Sequence, residues 1–273
     1  MRPAEITHIL RSKPGFLHTI GIANPVGEAF GDKAAKLEEL AALLEHVVIL
    51  SRDLAPEDGL HLLDLACGRS YLSFGAYCLL HEHLGRPVRV TGVDSDARLV
   101  ARCVAAAEAL GYEGMQFHAS RIADLPITER VDIAYSLHAC DTATDEALAR
   151  CVETSARRFL CVPCCRWTTR KMLSRKTILR PLTRHKAGIE RFADLLTDAL
   201  RASLMEAVGY DVTMLEFTSA RVTPMNLMLR GASRNQPRKG AWEEYLSLKK
   251  TFGIAPRLEE LLRHRLPDET EPG

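Results

Sequence analysis

The chain has 273 residues, 47% hydrophobic and 26% charged, with 17 Gly and 13 Pro, which excludes a collagen, a disordered tail and a low-complexity scaffold. At roughly 100 to 200 residues per domain, this length suits one large, decorated α/β domain. Lys and Arg number 36 against 35 Asp and Glu, a net charge of +1, so no whole-chain field directs the protein to nucleic acid or membrane and any basic site is local. The eight cysteines are scattered through apolar segments of a chain too long to need staples, which fits a reducing compartment. No run of 18 apolar residues occurs and the start lacks a charged region leading into an apolar stretch, so a cytoplasmic protein that does not engage the membrane is expected. The pattern carries no signal for oligomeric state.

Residues 1–55 read as a helical N-terminal cap. A Gly- and Pro-containing break over 13–31 precedes a helix over 32–50, in which Leu37, Leu40, Leu43, Leu44 and Val47 form one apolar face. From 56 to 233 the pattern changes to short apolar runs alternating with helices. Strands are expected over 61–67, 88–94, 115–119, 131–137 and 158–163, and helices over 71–83, 97–110, 143–155 and 191–208. Alternation of this kind demands right-handed crossovers and a parallel sheet. The last helix stops at Gly209, a residue suited to a left-handed cap. Two further strands, over 212–217 and 227–229, follow with no helix between them, which predicts an antiparallel edge. The expectation is a Rossmann-like α/β fold with a seven-stranded, mostly parallel sheet. Residues 234–273 read as a helical C-terminal extension with an acidic end.

The first strand runs into Asp64-Leu-Ala-Cys-Gly68-Arg-Ser-Tyr71 and a helix begins at once. Only a tight turn fits there, with Gly68 leaving the backbone unhindered and a helix N-terminus offering N–H groups to an anion. A dinucleotide site would need further glycines to admit a pyrophosphate. Their absence makes a nicotinamide oxidoreductase a distant alternative. The second strand ends at Asp94, 26 positions after Gly68, where a carboxylate can accept both hydroxyls of a ribose. An acid on each of the first two strands and a single-glycine turn suit S-adenosylmethionine. The expected cofactor contacts are Asp64, Ala66, Cys67, Gly68 and Tyr71, then Asp94 and Ser95, then Ser120, Arg121 and Ile122 bordering the adenine, and His138. Taken one at a time, the two acids could equally close strands of a sheet that binds no nucleotide.

Four motifs occur in order: residues 64–73, Ser136-Leu-His-Ala-Cys-Asp-Thr-Ala-Thr-Asp145, Val162-Pro-Cys-Cys165 and Thr223-Pro-Met-Asn226. Together they resemble the class I methyltransferase-like family that includes the eukaryotic tRNA acceptor-stem 2'-O-methyltransferase. The upstream Ile20-Gly-Ile-Ala-Asn-Pro-Val-Gly27 with Asp32-Lys33 resembles bacterial members. The resemblance spans about residues 16 to 230 and implies S-adenosylmethionine-dependent methyl transfer, with RNA as the acceptor class and Lys33 on the substrate side. Relatives often carry His or Gln after the paired cysteines, whereas Arg166 and Trp167 follow here.

In open α/β sheets the ligand lies beyond the carboxyl ends of the strands, so residues after the fourth and fifth strands face the transferred group. These are His138, Cys140 and Asp141, then Cys164 and Cys165. His138 reads either as a general base for a hydroxyl acceptor or as a histidine that closes a strand. Asp141 and Thr142 suit a helix N-cap, with a substrate contact as the alternative for Asp141. The run 161–165 lacks a second Cys pair at finger-like spacing, so site-lining thiols and no metal are expected. The segment 166–190 reads as a basic insertion. From Arg166 to Lys186 it carries eight cations and no acid, among them Arg170, Lys171, Arg175 and Lys176. It can neutralise RNA phosphates, with Trp167 stacking a base, or it can pack through Met172, Leu173, Ile178 and Leu179. Asn226 either orients an acceptor or satisfies its turn. An acceptor that is a small molecule or protein, and a catalytically inactive S-adenosylmethionine-binding module, are the alternatives to an RNA methyltransferase.

Overall fold

Leucine-rich and β-branched runs of five to seven residues form the strands of the protein. A computed structural model describes residues 1–54, 59–127, 129–139, 142–164, 167–174, 177–234 and 236–268. The strands are β1 (Leu60–Leu65), β2 (Val88–Asp94), β3 (Met115–Ala119), β4 (Ile133–Leu137), β5 (Arg158–Val162), β6 (Tyr210–Glu216) and β7 (Leu227–Ser233). They make one sheet in the order β3-β2-β1-β4-β5-β7-β6. The first five are parallel, and β7 runs antiparallel to both β5 and β6. The antiparallel edge read from the sequence is therefore a β6–β7 hairpin inserted with β7 inward, and β6 takes the rim.

The helices are α1 (Pro3–Arg11), α2 (Pro14–Thr19), α3 (Asp32–Ser51), α4 (Tyr71–Ala76), α5 (Ala97–Leu110), α6 (Thr142–Glu153), α7 (Trp167–Ser174), α8 (Arg180–Thr183), α9 (Lys186–Ala207), α10 (Ala241–Phe252) and α11 (Arg257–Leu261). The wider π-helical winding of Tyr77–His83 continues α4. A short helix, α2, interrupts the stretch read as a break: Pro14 presets its first φ and it buries Phe16 and Leu17. Among its described residues, the crossover from β3 to β4 carries only the 3-10 turn Ile122–Asp124.

Alternation along β1 sends Leu60 and Leu62 to one face of the sheet and Leu63 and Leu65 to the other. The first face packs against residues of α1 to α5, the second against α6, α9, α10 and α11. The N-terminal helices thus share a core with β1, β4 and β5. The expected single apolar face of α3 is too narrow, because Glu39, Ala41, Ala42, His46 and Val48 are buried as well. Gly75 allows this proximity: a Cβ there would stand 2.9 Å from the Leu44 side chain. Among the described residues no helix is long and apolar enough to cross a membrane.

Two buried charged contacts tie neighbouring elements together. Arg201 of α9, 1% exposed, bonds Asp145 of α6 through Nε at 2.7 Å and Asp198 through Nη1 at 3.1 Å. Paired burial of this kind avoids the large cost of an isolated internal charge. His46 of α3 accepts at Nδ1 from Arg230 Nη1 on β7 at 3.1 Å. Burial, with the Arg230 charge adding to it, lowers the His46 pKa to about 4.

This depression has a defined sign. A histidine held neutral in the fold contributes stability that is complete above its unfolded pKa and is lost as pH falls from about 6.5 towards 4. We predict that His46→Gln, which keeps an acceptor for Arg230 but cannot titrate, loses less stability than the parent between pH 7 and 4. The expected difference is roughly 3 kcal/mol, measured by urea unfolding at several pH values. Parallel stability profiles for the two proteins would show that His46 titrates normally.

Candidate active site

The turn after β1 is built from left-handed residues: Ala66 (φ 61°), Gly68 (φ 53°) and Ser70 (φ 54°). Two of them carry a Cβ, so this conformation costs energy that surrounding bonds must offset. Cys67 N–H donates to Val93 O at 2.9 Å, Ser70 N–H to Cys67 O at 2.6 Å, and Gly68 N–H to Asp94 Oδ2 at 2.8 Å. Below the turn, Asp64 accepts the hydroxyls of Ser70 at 2.6 Å and Ser73 at 2.5 Å, and Ser73 Oγ is 2.7 Å from the Tyr135 hydroxyl. Burial pushes the Asp64 carboxyl up to about 6, against the pull of the two serine hydrogen bonds.

Above the turn lies a cleft of about 380 Å³, within the range of small-molecule sites. Residues 66–72 form one wall, Asp94 a second, Leu137, His138, Ala139 and Ala143 a third, and Lys36, Leu40 and Leu43 of α3 the roof. A Cβ on Gly68 would meet no atom within 4 Å, so its bare backbone opens onto unfilled space. Asp94 receives Gly68 N–H on Oδ2 and Asp96 N–H on Oδ1 at 2.9 Å. Each of its oxygens retains a second lone pair for a ligand hydroxyl.

His138 closes the cleft beyond β4 and is itself left-handed at φ 56°. Its N–H donates to Val162 O at 2.8 Å and its carbonyl accepts from Cys164 Sγ at 3.2 Å. Its Nε2 lies 2.9 Å from Glu39 Oε1, while Glu39 Oε2 takes Lys36 Nζ at 2.8 Å. Lys36 Nζ also stands 5.6 Å from the centre of the Tyr71 ring. Burial raises the Glu39 carboxyl, but the hydrogen bonds from His138 and Lys36 outweigh it and leave the pKa below the usual range.

Of the residues singled out in the sequence, Ala66, Cys67, Gly68, Tyr71, Asp94 and His138 line this cleft. Asp64 sits underneath the turn, its Oδ2 engaged by both serines. Ser95 is exposed beside Asp94, and Ser120 donates its N–H to Asp94 O at 3.0 Å. Ser120, Arg121 and Ile122 stand outside the lining, and Ile122 is buried in the core. Lys33 is exposed, and Lys36, one turn on, lines the cleft instead. Asn226 donates Nδ2 to Thr218 O at 2.8 Å and so closes the β6–β7 loop, the turn-satisfying alternative. Cys140, Asp141, Cys165, Arg166, Arg175 and Lys176 lie outside the described residues.

In the basic segment, Arg170 faces Glu190 at 3.5 Å and Asp194 at 3.6 Å, both on α9. Counting charges within the segment therefore overstates its field. Trp167 is 64% exposed with Lys171 Nζ 4.8 Å from its ring centre, while Leu173 and Thr169 are buried. Packing through Leu173 is as expected, whereas Ile178 is 87% exposed and does not pack as the sequence suggested. Among the described residues no group of three or more His, Cys, Asp or Glu stands together as a metal site.

Sequence reading missed the roof of the cleft. Lys36, Glu39, Leu43 and His46 fall three, four and three residues apart, which puts three polar side chains on one stripe that also carries Leu43. That stripe is the signal that could have found them.

Residues 32–171 match the family model described as a methyltransferase domain. No curated protein matches the chain at significant similarity. Similar solved structures include a geranyl diphosphate methyltransferase in complex with GPP and sinefungin, 18% identical, with 78% of this chain and 84% of that one covered and a TM-score of 0.46. A magnesium protoporphyrin IX methyltransferase from Synechocystis PCC 6803 with bound SAH is 17% identical over 84% and 99% of the two chains, TM-score 0.44. A putative RNA methyltransferase from Pyrococcus horikoshii is 15% identical over 72% and 84%, TM-score 0.42. The family match takes in α3, the β1 turn, Asp94 and His138, and by it the chain belongs to the methyltransferase-domain family, enzymes whose methyl donor is S-adenosylmethionine.

Proposed function

We propose that this methyltransferase takes a proton from an oxygen or nitrogen acceptor through His138 while the acceptor is methylated. The observation that carries the reading is the placement of His138 in the wall of the same cleft as Gly68 and Asp94. S-adenosylmethionine, when bound, supplies a methyl group already activated on a sulfonium. The protein's own share is alignment, worth about 7 to 11 kcal/mol at best, and proton removal, worth about 10² to 10⁴ in rate. The donor set of the cleft fits this cofactor. Asp94 would hold the ribose hydroxyls, the backbone of the Gly68 turn would receive the methionine end, and Lys36 would complement its carboxylate. Leu40, Leu43 and Leu137 line the cleft and would exclude water from the transfer.

Exposed Trp167, with Lys171 beside it, favours a particular acceptor class. A stacking platform next to a cation suits RNA, as does the resemblance to the tRNA 2'-O-methyltransferase family. The exposed cations Arg180, Arg184 and Lys186 on and beside α8 extend that surface. On this reading the enzyme works in the cytosol, where its thiols stay reduced.

Asp94→Ala is expected to weaken S-adenosylmethionine and S-adenosylhomocysteine by about 1.5 to 3 kcal/mol, the worth of hydrogen bonds to a charged group, in calorimetric titration. Equal affinities would remove Asp94 from the site. Gly68→Val should abolish binding of both, since the side chain would enter the cleft and the left-handed turn disfavours a β-branched residue. Binding retained with unchanged circular dichroism would place the cofactor elsewhere.

Incubation with methyl-labelled S-adenosylmethionine and total cellular RNA, protein and metabolite fractions identifies the acceptor class, and label is expected in RNA. Changing Lys171, Arg180, Arg184 and Lys186 to Gln should weaken RNA and flatten its salt dependence by about 0.7 in logarithmic slope per lost contact to a single strand. Label in metabolites, with salt-insensitive RNA binding, would establish a small-molecule enzyme instead. RNA binding with no label in any fraction would mark an inactive binding module.

A further inference from the structure

β3 is an edge of the sheet that its own sequence leaves unguarded. It pairs with β2 alone, without a break from Val90–Met115 to Asp94–Ala119. Its residues, Met-Gln-Phe-His-Ala, include no proline, lysine or carboxylate, the devices that blunt edge strands. The opposite edge is guarded, since β6 carries the exposed Asp211 and Glu216. The open groups of β3 follow from the parallel ladder. Val90 N–H donates to Gly114 O and Ser120 N–H to Asp94 O, so the even positions turn their N–H and C=O groups towards β2. The odd ones, Met115, Phe117 and Ala119, therefore turn theirs outward. Met115 N–H is taken up by Tyr112 O at 3.1 Å. Among the described residues, the N–H and C=O groups of Phe117 and Ala119 and the Met115 carbonyl face no neighbouring strand. Beside them runs a groove of about 600 Å³ between β3 and α5, lined by Val104, Met115, Phe117 and Glu113.

We propose that this edge is a dimer interface, in which β3 of a second copy of the chain adds antiparallel to β3 about a two-fold axis through Phe117, joining the two sheets into one. A strand that pairs with itself must complement its own sequence in reverse, and this one does. The axis sets Phe117 against the second copy's Phe117, an aromatic pair whose backbones exchange both N–H···O bonds. Met115 comes opposite the second copy's Ala119, whose N–H meets the open Met115 carbonyl. On the other face Gln116 stands against the second copy's His118, amide against imidazole, and both side chains are exposed. Two residues before the strand, Glu113 comes opposite Arg121, two residues after it, and by symmetry this contact occurs twice. Both are exposed, and among the described residues no ion pair occupies either. That charge complementarity selects the occupant and the register. A register moved by two residues loses both ion pairs, and a strand from another protein would not require β3 to be its own complement.

Sedimentation equilibrium and residue-resolved amide hydrogen exchange on the full-length protein test this without cofactor or acceptor. A reversible dimer is expected. Exchange at Phe117 and Ala119 should slow as concentration rises through the dissociation constant, while Gln116 and His118, already bonded to β2, change little. Glu113→Arg and Arg121→Glu should each raise the dissociation constant about tenfold, since a cross-strand attraction becomes a repulsion in two places. The double variant Glu113→Arg/Arg121→Glu should return it to near the parent value, which a merely destabilised fold would not do, and circular dichroism should match the parent in all three. A monomer that exchanges Phe117 and Ala119 fast at every concentration would overturn the proposal, as would a monomer that protects them at every dilution, the edge then being covered from within the chain. A dimer indifferent to the single reversals, or single reversals that the double variant fails to rescue, would overturn it too. Protection of these amides only when a different protein is added would assign the edge to a foreign strand and overturn the second copy as its occupant.

Discussion

Burial of Asp64 at the carboxyl end of β1 is the constraint on which the cleft depends. A carboxylate there is stable only if its hydrogen bonds are met inside the protein, and Ser70 and Ser73 meet them. Drawing Ser70 down onto Asp64 fixes the left-handed residue that starts α4 and turns the preceding backbone upward, so that Gly68 N–H reaches Asp94. One buried acid under the turn and one half-buried acid beside it therefore set the cradle from below and from the flank. The parallel register of β1 with β2, which pairs Asp64 with Gly92, ends both strands close to this turn and makes the bridge possible.

The roof follows from the other side of the same helix. α4 carries Gly75, and the missing side chain lets Leu40 and Leu44 of α3 settle against it. With α3 lowered in this way, Lys36, Glu39 and Leu43 come over the ends of β1 and β4 rather than into solvent. The N-terminal helices are thus more than a cover: α3 shares the apolar core of the sheet and contributes ionised groups to its functional edge. A helix so placed cannot lift without exposing Leu37, Leu40, Leu44 and Val47, all 2% exposed or less. Access to the cleft must come from its open side.

Features with a local code were legible in the sequence. Strand runs, the Gly68 turn and the spacing from Gly68 to Asp94 reflect constraints within a few dozen residues, and the structure has them where the pattern put them. The inserted β7 was not legible, because strand order depends on which edge a returning hairpin joins, and Thr213 or Arg230 says nothing of that alone. Asp64 was readable as a strand-end acid, but its turn towards Ser70 and Ser73 depends on side-chain rotamers. Glu39 was hidden for another reason. The rule that charged helix residues face water holds until two partners, one on the same helix and one 99 residues away at His138, make burial affordable.

Charge reading failed in the same physical way around α7. The segment from Arg166 to Lys186 has no acid of its own, yet Arg170 lies between Glu190 and Asp194 of the next long helix. Packing of Thr169 and Leu173 against that helix, with the Thr197 hydroxyl 2.8 Å from that of Thr169, turns this side of α7 inward and makes Arg170 structural. The opposite side follows by geometry: if positions 169, 170 and 173 face α9, positions 167 and 171, four apart, share the outer surface. Trp167 and Lys171 are there, ring against ammonium. What α7 shows to solvent is therefore set by its packing against α9, which leaves Trp167 and Lys171 outward and withdraws Arg170, rather than by the net charge of the segment.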